Sequence, residues 1–498
     1  MLYVSTRGSM NKKNGAQAVI SGLAEDKGLY VPAYIPKLPF EVKDMIGASY
    51  KEIARKILLC YFDDFTEEEM DYCVNGAYDS KFTASDICEI READGVNFLE
   101  LYHGKTAAFK DMALSILPYL LTVSLKKEGV KDKVLILTAT SGDTGKAALE
   151  GFSDVPGTEI IVFYPDGGVS QVQRQQMITT MGKNTHVYAV KGNFDDCQTE
   201  VKRIFNDPEI KASLKDHGII FSSANSINVG RLVPQVAYYV YSYIKMVERG
   251  VIKDGEPMNV VVPTGNFGNI LAAWMAMKMG IPVNRFICAS NDNKVLTDFL
   301  RTGLYDIRPE TRDFILTNSP SMDILVSSNL ERLLFLLNGR DTELINEWMY
   351  SLEALGFYTV MDSESFLEGV KVFWGGYSVE ADTLKAIDDM WKNHGYLMDT
   401  HTAVAYKVYK DYVKDTGDET PCILASTASA FKFAEAVGEA IGIPECGDGF
   451  KAVKELEKVT GCEVPYGLRE LDKKEIRHSG VVSIDEMADT VLQVYQKA

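Results

Sequence analysis

The sequence predicts an α/β fold of two parallel-sheet lobes, with a small and mainly helical module in front of them. Three observations lead there. Downstream of Asp94-Gly95, short apolar runs alternate with helical patterns, the texture of a parallel sheet covered by helices. Three of those runs end in a small polar loop that opens directly into a helix, which is the edge at which open parallel sheets bind ligands. The chain's 498 residues also exceed one hydrophobic core, so two large lobes, or units of roughly 150 residues each, are expected.

Along the chain, residues 1–85 form the helical module. Polar turns near Asn11 to Gly15, a proline-punctuated stretch from Pro32 to Pro39 and an acidic helical segment at Thr66 to Met70 mark it. The first lobe is expected over 86–235. In it Val134 to Thr138 reads as a buried strand, Lys146 to Phe152 as the start of a helix, and Ile160 to Phe163 and His186 to Val190 as further strands. The second lobe is expected over 236–498. Asn259 to Val262 leads through a glycine loop into a helix over Ile270 to Met279, and Arg285 to Cys288 returns as strand. Ile423 to Ala425 repeats the arrangement before a helix over Phe431 to Ile441. Residues 290–400 carry more helical pattern and polar turns and read as an insertion or cap. Ser213 to Gly218 and Glu248 to Glu256 read as surface connections, and the lobes are free to exchange segments.

Hydrophobic residues at 46% and charged residues at 24% fit a globular protein, which sets aside disorder, collagen-like repeats and coiled coil. A net charge of −18 disfavours nucleic acid and anionic membrane as partners, because both need clustered Lys and Arg. An anionic substrate then requires a locally positive pocket. The eight cysteines fall without a C-x-x-C pair or a zinc-type cluster, so no metal site is expected and reduced thiols in a cytoplasm are. The first residues lack a basic region followed by an apolar core, and no apolar run reaches about 18 residues, so neither an export signal nor a membrane span is expected.

The chemistry concentrates in three places. Residues 101–111, LYHGKTAAFKD, set Lys110 between Phe109 and Asp111 at the entry of the apolar pattern Met112 to Leu121, where a core lowers an amine's pKa for imine formation. As one of 52 basic residues Lys110 is by base rate a solvated charge, and Lys105 is a rival by the same logic. Ser141, Gly142, Asp143, Thr144 and Gly145 follow a strand and open a helix whose first N–H groups favour an anion, although alone they read more readily as an ordinary connection. A nucleotide P-loop is excluded, since Thr140 stands where its first glycine belongs and Ala147 where its hydroxyl belongs. Gly265, Asn266, Phe267, Gly268 and Asn269 form the second such loop, balanced alone between anion cradle and tight turn. It lacks the third glycine of the dinucleotide fingerprint. A lysine beside two phosphate-cradling turns suggests pyridoxal 5'-phosphate, held by its phosphate and joined to the lysine as a Schiff base.

The chain resembles the threonine synthase family of the bacterial and fungal long-chain kind, within fold type II of the pyridoxal-phosphate enzymes. The likeness runs through YVSTRG at 3–8, GLYVP at 28–32, His103-Gly104 with AFKD at 108–111, and TATSGDTG at 138–145. It continues through SANSIN at 223–228 with Arg231, PTGNFG at 263–268, and Thr427-Ala428. The resemblance implies a cofactor in the cleft between the two lobes, carried by Lys110, with its phosphate on Gly265 to Asn269 and Thr427 facing the pyridine nitrogen. It implies that Ser141, Gly142, Asp143 and Thr144 bind the substrate carboxylate, and that Asn225, Ser226 and Arg231 bind the substrate phosphate, Arg231 through paired N–H donors. A surface ion pair is the plainer alternative for Arg231. The implied reaction is conversion of O-phospho-L-homoserine and water to L-threonine and phosphate by γ-elimination and β-addition, in a monomer, with a dimer as the alternative.

The chain departs from the family at two places. Lys105 and Ala107 stand where the family often has proline and a larger aliphatic, and Ser429-Ala430 where it often has His-Pro. The first adds a cation beside the substrate phosphate or merely alters a loop. Two rivals remain: a phospho-lyase on the same scaffold, releasing 2-oxobutyrate and ammonia, and a catalytically silent protein that binds the cofactor or an amino acid.

Overall fold

Two sheets organise the molecule, in a computed structural model that describes residues 1–444 and 446–496. The larger has six strands in the order Phe373–Tyr377, Val283–Ser290, Met258–Pro263, Cys422–Ser426, Val96–Glu100 and Glu89–Ala93. All neighbours in it are parallel except the last pair, a hairpin. The smaller sheet is wholly parallel, in the order Gly480–Ser483, Thr185–Lys191, Thr158–Pro165, Lys133–Ala139 and Ile219–Ser222. Met258–Pro263 and Cys422–Ser426 are buried at every position, as strands covered by helices on both faces must be. Of the strands expected from apolar runs, all six form, each two to four residues longer than its apolar heart.

Sheet membership does not follow the linear division at residue 235. Residues 89–100 lie inside the stretch expected to form the first lobe, yet they pair with Cys422–Ser426 in the six-stranded sheet. Gly480–Ser483 crosses the other way and pairs with Thr185–Lys191. The hairpin closes because Asp94 and Gly95 both take positive φ, 49° and 71°, the two-residue turn that matches strand twist. The stretch 290–400 is also less of a cap than its helical texture implies. Beside its helices it supplies Phe373–Tyr377, FWGGY, the edge strand of the large sheet, whose two glycines hide the strand pattern. The expected connection at Ser213 to Gly218 is mostly the end of a helix, Pro208–Asp216, which Asp207 caps.

The N-terminal module has three helices, Gly15–Ser21, Tyr50–Tyr61 and Glu67–Ala77, opened by Asn14, Ser49 and Thr66 in capping boxes. A small antiparallel pair, Tyr3–Ser5 with Tyr30–Pro32, completes it. The module has no core of its own: Ile53, Ile57 and Tyr61 share one apolar cluster with Leu117, Tyr238 and Tyr241. Arg7 adds a 3.0 Å ion pair to Glu331. All eight cysteines are unpaired, and among the described residues no helix is long and apolar enough to cross a membrane.

Candidate active site

The loop 101–109 leaves the strand Val96–Glu100 and is stitched to the chain that leaves Cys422–Ser426. Leu101 N–H donates to Ser426 O at 3.0 Å, Phe109 N–H to Thr427 O at 2.7 Å, and Ser429 N–H to Ala107 O at 3.1 Å. Asp111 braces the loop from within, accepting from both the N–H and the hydroxyl of Thr106 at 2.7 Å each. Burial pushes its carboxyl up to about 6 against those bonds. Gly104 is needed here, because a Cβ would lie 2.4 Å from the Asp111 carboxylate. Lys110 is thereby presented as the first residue of the helix Lys110–Leu114.

Its amine sits among polar groups from four segments. Nζ donates to Ser321 Oγ at 3.3 Å and lies 3.7 Å from Asp143 Oδ2. The other oxygen of Asp143 takes the fully buried ammonium of Lys432 at 2.7 Å and Gln173 Nε2 at 3.0 Å. Burial lowers Lys110 to about 8, opposed by Asp143 and reinforced by Lys432 and Arg231. Asp143 is held well below the usual carboxylate range: burial opposes this, but Lys432 and Lys110 outweigh it. The side chain of Asp143 is thus committed to two lysines and Gln173. Ser141 and Thr144 flank it half-buried. The loop is tied by Thr140 Oγ1, which accepts from Gly142 and Gly145 N–H at 2.9 Å each. Gly142 has φ 131° and packs on the Gln173 side chain.

The loop Gly265 to Asn269 faces Lys110 across Ser321. Phe267 is left-handed at φ 61° and caps the twelve-residue helix Gly268–Met279. A Cβ on Gly265 would lie 2.7 Å from Ser321 O. Asn266 O accepts from Asn329 N–H at 3.1 Å, and Asn269 Oδ1 accepts from the Tyr239 hydroxyl. Ser226 reaches the same place: its Oγ accepts from Asn329 Nδ2 at 2.9 Å and its Cβ lies 3.3 Å from where a Cβ on Gly268 would be, while Asn225, beside it, donates its N–H to Ser223 Oγ at 3.1 Å.

Two buried donors there lack a partner, Asn269 Nδ2 and Arg231 Nε. Arg231 is 4% exposed, gives one N–H to Ala224 O at 2.7 Å, and among the described residues makes no ion pair. The surface-pair alternative therefore falls. Burial alone brings its guanidinium down to about 10. Buried donors this costly to leave unpaired fit an anionic group in each cradle. Thr427 is buried beside the Lys110 loop, and its carbonyl accepts from Phe109.

The structure brings Lys110, Asp143, the Gly265 loop, Ser226 and Arg231 together, and separates Lys105. That lysine pairs at 2.5 Å with Glu150, which also holds Lys146. Sequence reasoning missed Lys432, Ser321 and Gln173. Lys432 alone carried a signal, as a cation inside the apolar run Ala430 to Phe433 directly after the Thr427 loop.

The chain matches three family descriptions: Threonine synthase N terminus over residues 2–78, Pyridoxal-phosphate dependent enzyme over 92–335, and Threonine synthase, C-terminal over 402–480. It is 42% identical to threonine synthase-like 1 of Homo sapiens over 86% of its own length, and spans 58% of that relative. It is 36% identical to threonine synthase of Pseudomonas aeruginosa, over 88% of this chain and 90% of that one. The crystal structure of a PLP-bound threonine synthase from Brucella melitensis superposes with a TM-score of 0.86 at 33% identity, covering 99% of each chain. The chain belongs to the threonine synthase family of pyridoxal-phosphate-dependent enzymes.

Proposed function

We propose that this chain is a threonine synthase, converting O-phospho-L-homoserine and water to L-threonine and phosphate. One observation carries the reading: the amine of Lys110, lowered to about 8, sits between two cradles whose buried donors Asn269 Nδ2 and Arg231 Nε lack partners. A substrate bearing its own phosphate, beside a cofactor bearing another, uses both.

Gly265, Asn266, Phe267, Gly268 and Asn269 would hold the cofactor phosphate, with the N-terminus of the helix Gly268–Met279 behind it. Pyridoxal phosphate, joined to Lys110, supplies the electron sink that makes the substrate's Cα and Cβ protons removable. Thr427 would face the ring nitrogen with a hydroxyl, which leaves that nitrogen largely unprotonated. Once free, the Lys110 amine takes the Cα proton; an amine near 8 serves as base at neutral pH where an ordinary lysine does not. Ser141, Gly142, Thr144 and the backbone of Asp143 hold the substrate carboxylate at the start of the helix Asp143–Phe152. Asn225, Ser226 and Arg231 hold the departing phosphate, and Arg231 stabilises the charge that builds on it as the Cγ–O bond breaks.

The unpaired cysteines and the absence of a membrane-length helix among the described residues support a cytoplasmic enzyme, which we take to act as a monomer. The test is a product balance: the cofactor-loaded protein is given O-phospho-L-homoserine, and phosphate, threonine and 2-oxobutyrate are measured together. Threonine equal to phosphate is expected. Phosphate matched by 2-oxobutyrate would make the protein a phospho-lyase, and no phosphate at all would overturn the substrate.

A further inference from the structure

The residue nearest the Lys110 amine is one that neither the motifs nor the phosphate cradles use. Ser321 lies in the loop Ser319 to Asp323, 211 residues from Lys110 in sequence, and its Oγ accepts from Lys110 Nζ at 3.3 Å. Two anchors hold that loop. At its far end Asp323 accepts from Asn291 Nδ2 at 2.7 Å, Asn293 Nδ2 at 3.0 Å and Thr317 N–H at 2.9 Å. At its centre the N–H of Ser321 itself donates to His401 Nε2 at 3.2 Å. Because Nε2 accepts there, the ring proton is on Nδ1, which faces Asp399 Oδ2 at 2.8 Å. Asp399 is fixed in turn, since it caps the helix Thr400–Thr416 by accepting from His401 and Thr402 N–H. His401 and Asp399 are 3% and 1% exposed, so water does not compete for these bonds.

A primary amine has three hydrogens or lone-pair directions beyond its carbon. Asp143 and Ser321 occupy two of them at Lys110, which leaves one free for exchange with the substrate. We propose that Ser321 is a catalytic residue that orients the Lys110 amine, and that His401, buttressed by Asp399, is the positioning residue that sets Ser321. The role rests on Lys110 being the cofactor lysine, but its geometry exists without cofactor or substrate. Ser321 stays protonated throughout; it accepts one N–H and transfers nothing.

Besides Ser321, the charged groups facing Lys110 are Asp143, Lys432 and Arg231, and none of them contacts His401 among the described residues. Loss of Ser321 or of its support is therefore separable from a change in those charges. The readout is competitive acetylation of Lys110 in the apoprotein across pH, quantified by mass spectrometry, alongside kcat of the loaded enzyme. In S321A the amine loses an acceptor that favours its protonated form, so its half-labelling pH falls by about one unit, and kcat falls about 10- to 100-fold, the worth of one hydrogen bond to a charged group. The labelling shift alone would enlarge the neutral fraction, so the fall in kcat reads lost orientation and not lost basicity. H401L should reproduce both changes, H401Q should regain most of them because Gln Oε1 replaces the acceptor, and S321A/H401L should be no worse than either single variant. If H401L does not fold, S321A and H401Q still decide. An unmoved labelling pH in S321A, or losses that add in the double variant, would overturn the proposal. A protein that never turns over O-phospho-L-homoserine but shows the labelling shifts would refute the assigned reaction and leave the role of Ser321 standing.

Discussion

Replacing Lys432 with methionine should make Lys110 a worse nucleophile at neutral pH, although Lys432 touches neither the cofactor loop nor the phosphate cradle. Its ammonium is fully buried, 2.7 Å from Asp143 Oδ1 and 3.0 Å from Thr106 O. Lys110 shares that carboxylate at 3.7 Å. Two ammonium groups on opposite oxygens of one carboxylate are within roughly 9 Å of each other, where like charges at an effective dielectric of about 20 repel by about 2 kcal/mol. That repulsion is worth about 1.4 pH units on Lys110. Without it the amine rises from its value of about 8, and Asp143 favours the protonated form against burial and Arg231 alone. The sign is definite: a raised lysine pKa removes neutral amine from below, so the defect is largest at low pH and vanishes at high pH. At pH 7 the neutral fraction should drop about 20-fold. The assay is the rate at which apoprotein captures pyridoxal phosphate, followed by absorbance from pH 6 to 10. The wild-type and K432M curves should be displaced along the pH axis and converge at the alkaline end. Slowing by one constant factor at every pH, or a midpoint that stays or moves down, would refute the electrostatic account and leave Lys432 as a packing residue.

Three further outcomes follow from the same geometry. K110A should lose turnover by about 10³-fold or more and form no yellow protein, and a near-normal rate would exclude Lys110 as the cofactor lysine. G265A should weaken cofactor affinity by about 10-fold or more while preserving the fold in circular dichroism, since its Cβ would meet the Ser321 carbonyl 2.7 Å away. E150Q should flatten the acid limb of stability. Burial opposes ionisation of Glu150, yet Lys146 and Lys105 hold its carboxyl down to about 2, so the stability it contributes is present above the unfolded value near 4.5 and is lost as pH falls toward 2. The carboxylate alone accounts for about 3 kcal/mol, offset in part by the buried Lys146. Urea midpoints measured between pH 5 and 2.5 should therefore fall less steeply in E150Q than in wild type.

What was legible in the sequence is what is local. The loops 141–145 and 265–269 could be read because each is a continuous run between a strand and a helix. Their glycines also carry unavoidable backbone demands: Gly142 at φ 131°, and Gly265 packed where a Cβ would collide with Ser321 O. The strand texture was legible for the same reason, since Val134 to Thr138 or Asn259 to Val262 is apolar without interruption. Where pattern and place part company, the sequence allowed an exchange of segments between lobes but did not say which. Residues 89–100 have the texture of their sequence neighbours, but their pairing is decided by Cys422–Ser426, more than 300 residues away, and nothing within the hairpin announces that partner. Phe373–Tyr377 carries no strand signal of its own because of Gly375 and Gly376, and pairs as a strand along the edge that Val283–Ser290 offers.

The same divide runs through the site and explains why its electrostatics were invisible. Lys110 and Asp143 were singled out from their motifs, but the partners of the Asp143 side chain were not legible, because Lys432 lies far along the chain. With Lys432 in view the carboxylate gains a structural partner. An aspartate at the start of the helix Asp143–Phe152 already sits where a helix N-terminus stabilises negative charge. Two lysines from segments 33 residues before and 289 residues after it converge on that charge, Lys110 on one oxygen and Lys432 on the other. The protonation of Lys110 thus depends on a triad, Lys432–Asp143–Lys110, in which the two outer members compete for the central one. Removing Asp143 would leave two ammonium groups buried without a shared carboxylate, a heavier cost than removing Lys432, which leaves one intact pair. D143N should accordingly destabilise the fold more than K432M does and lower the amine's protonation where K432M raises it, so the two variants shift the pH dependence of cofactor capture in opposite directions. That opposition is what a triad predicts and what two unrelated structural defects would not produce.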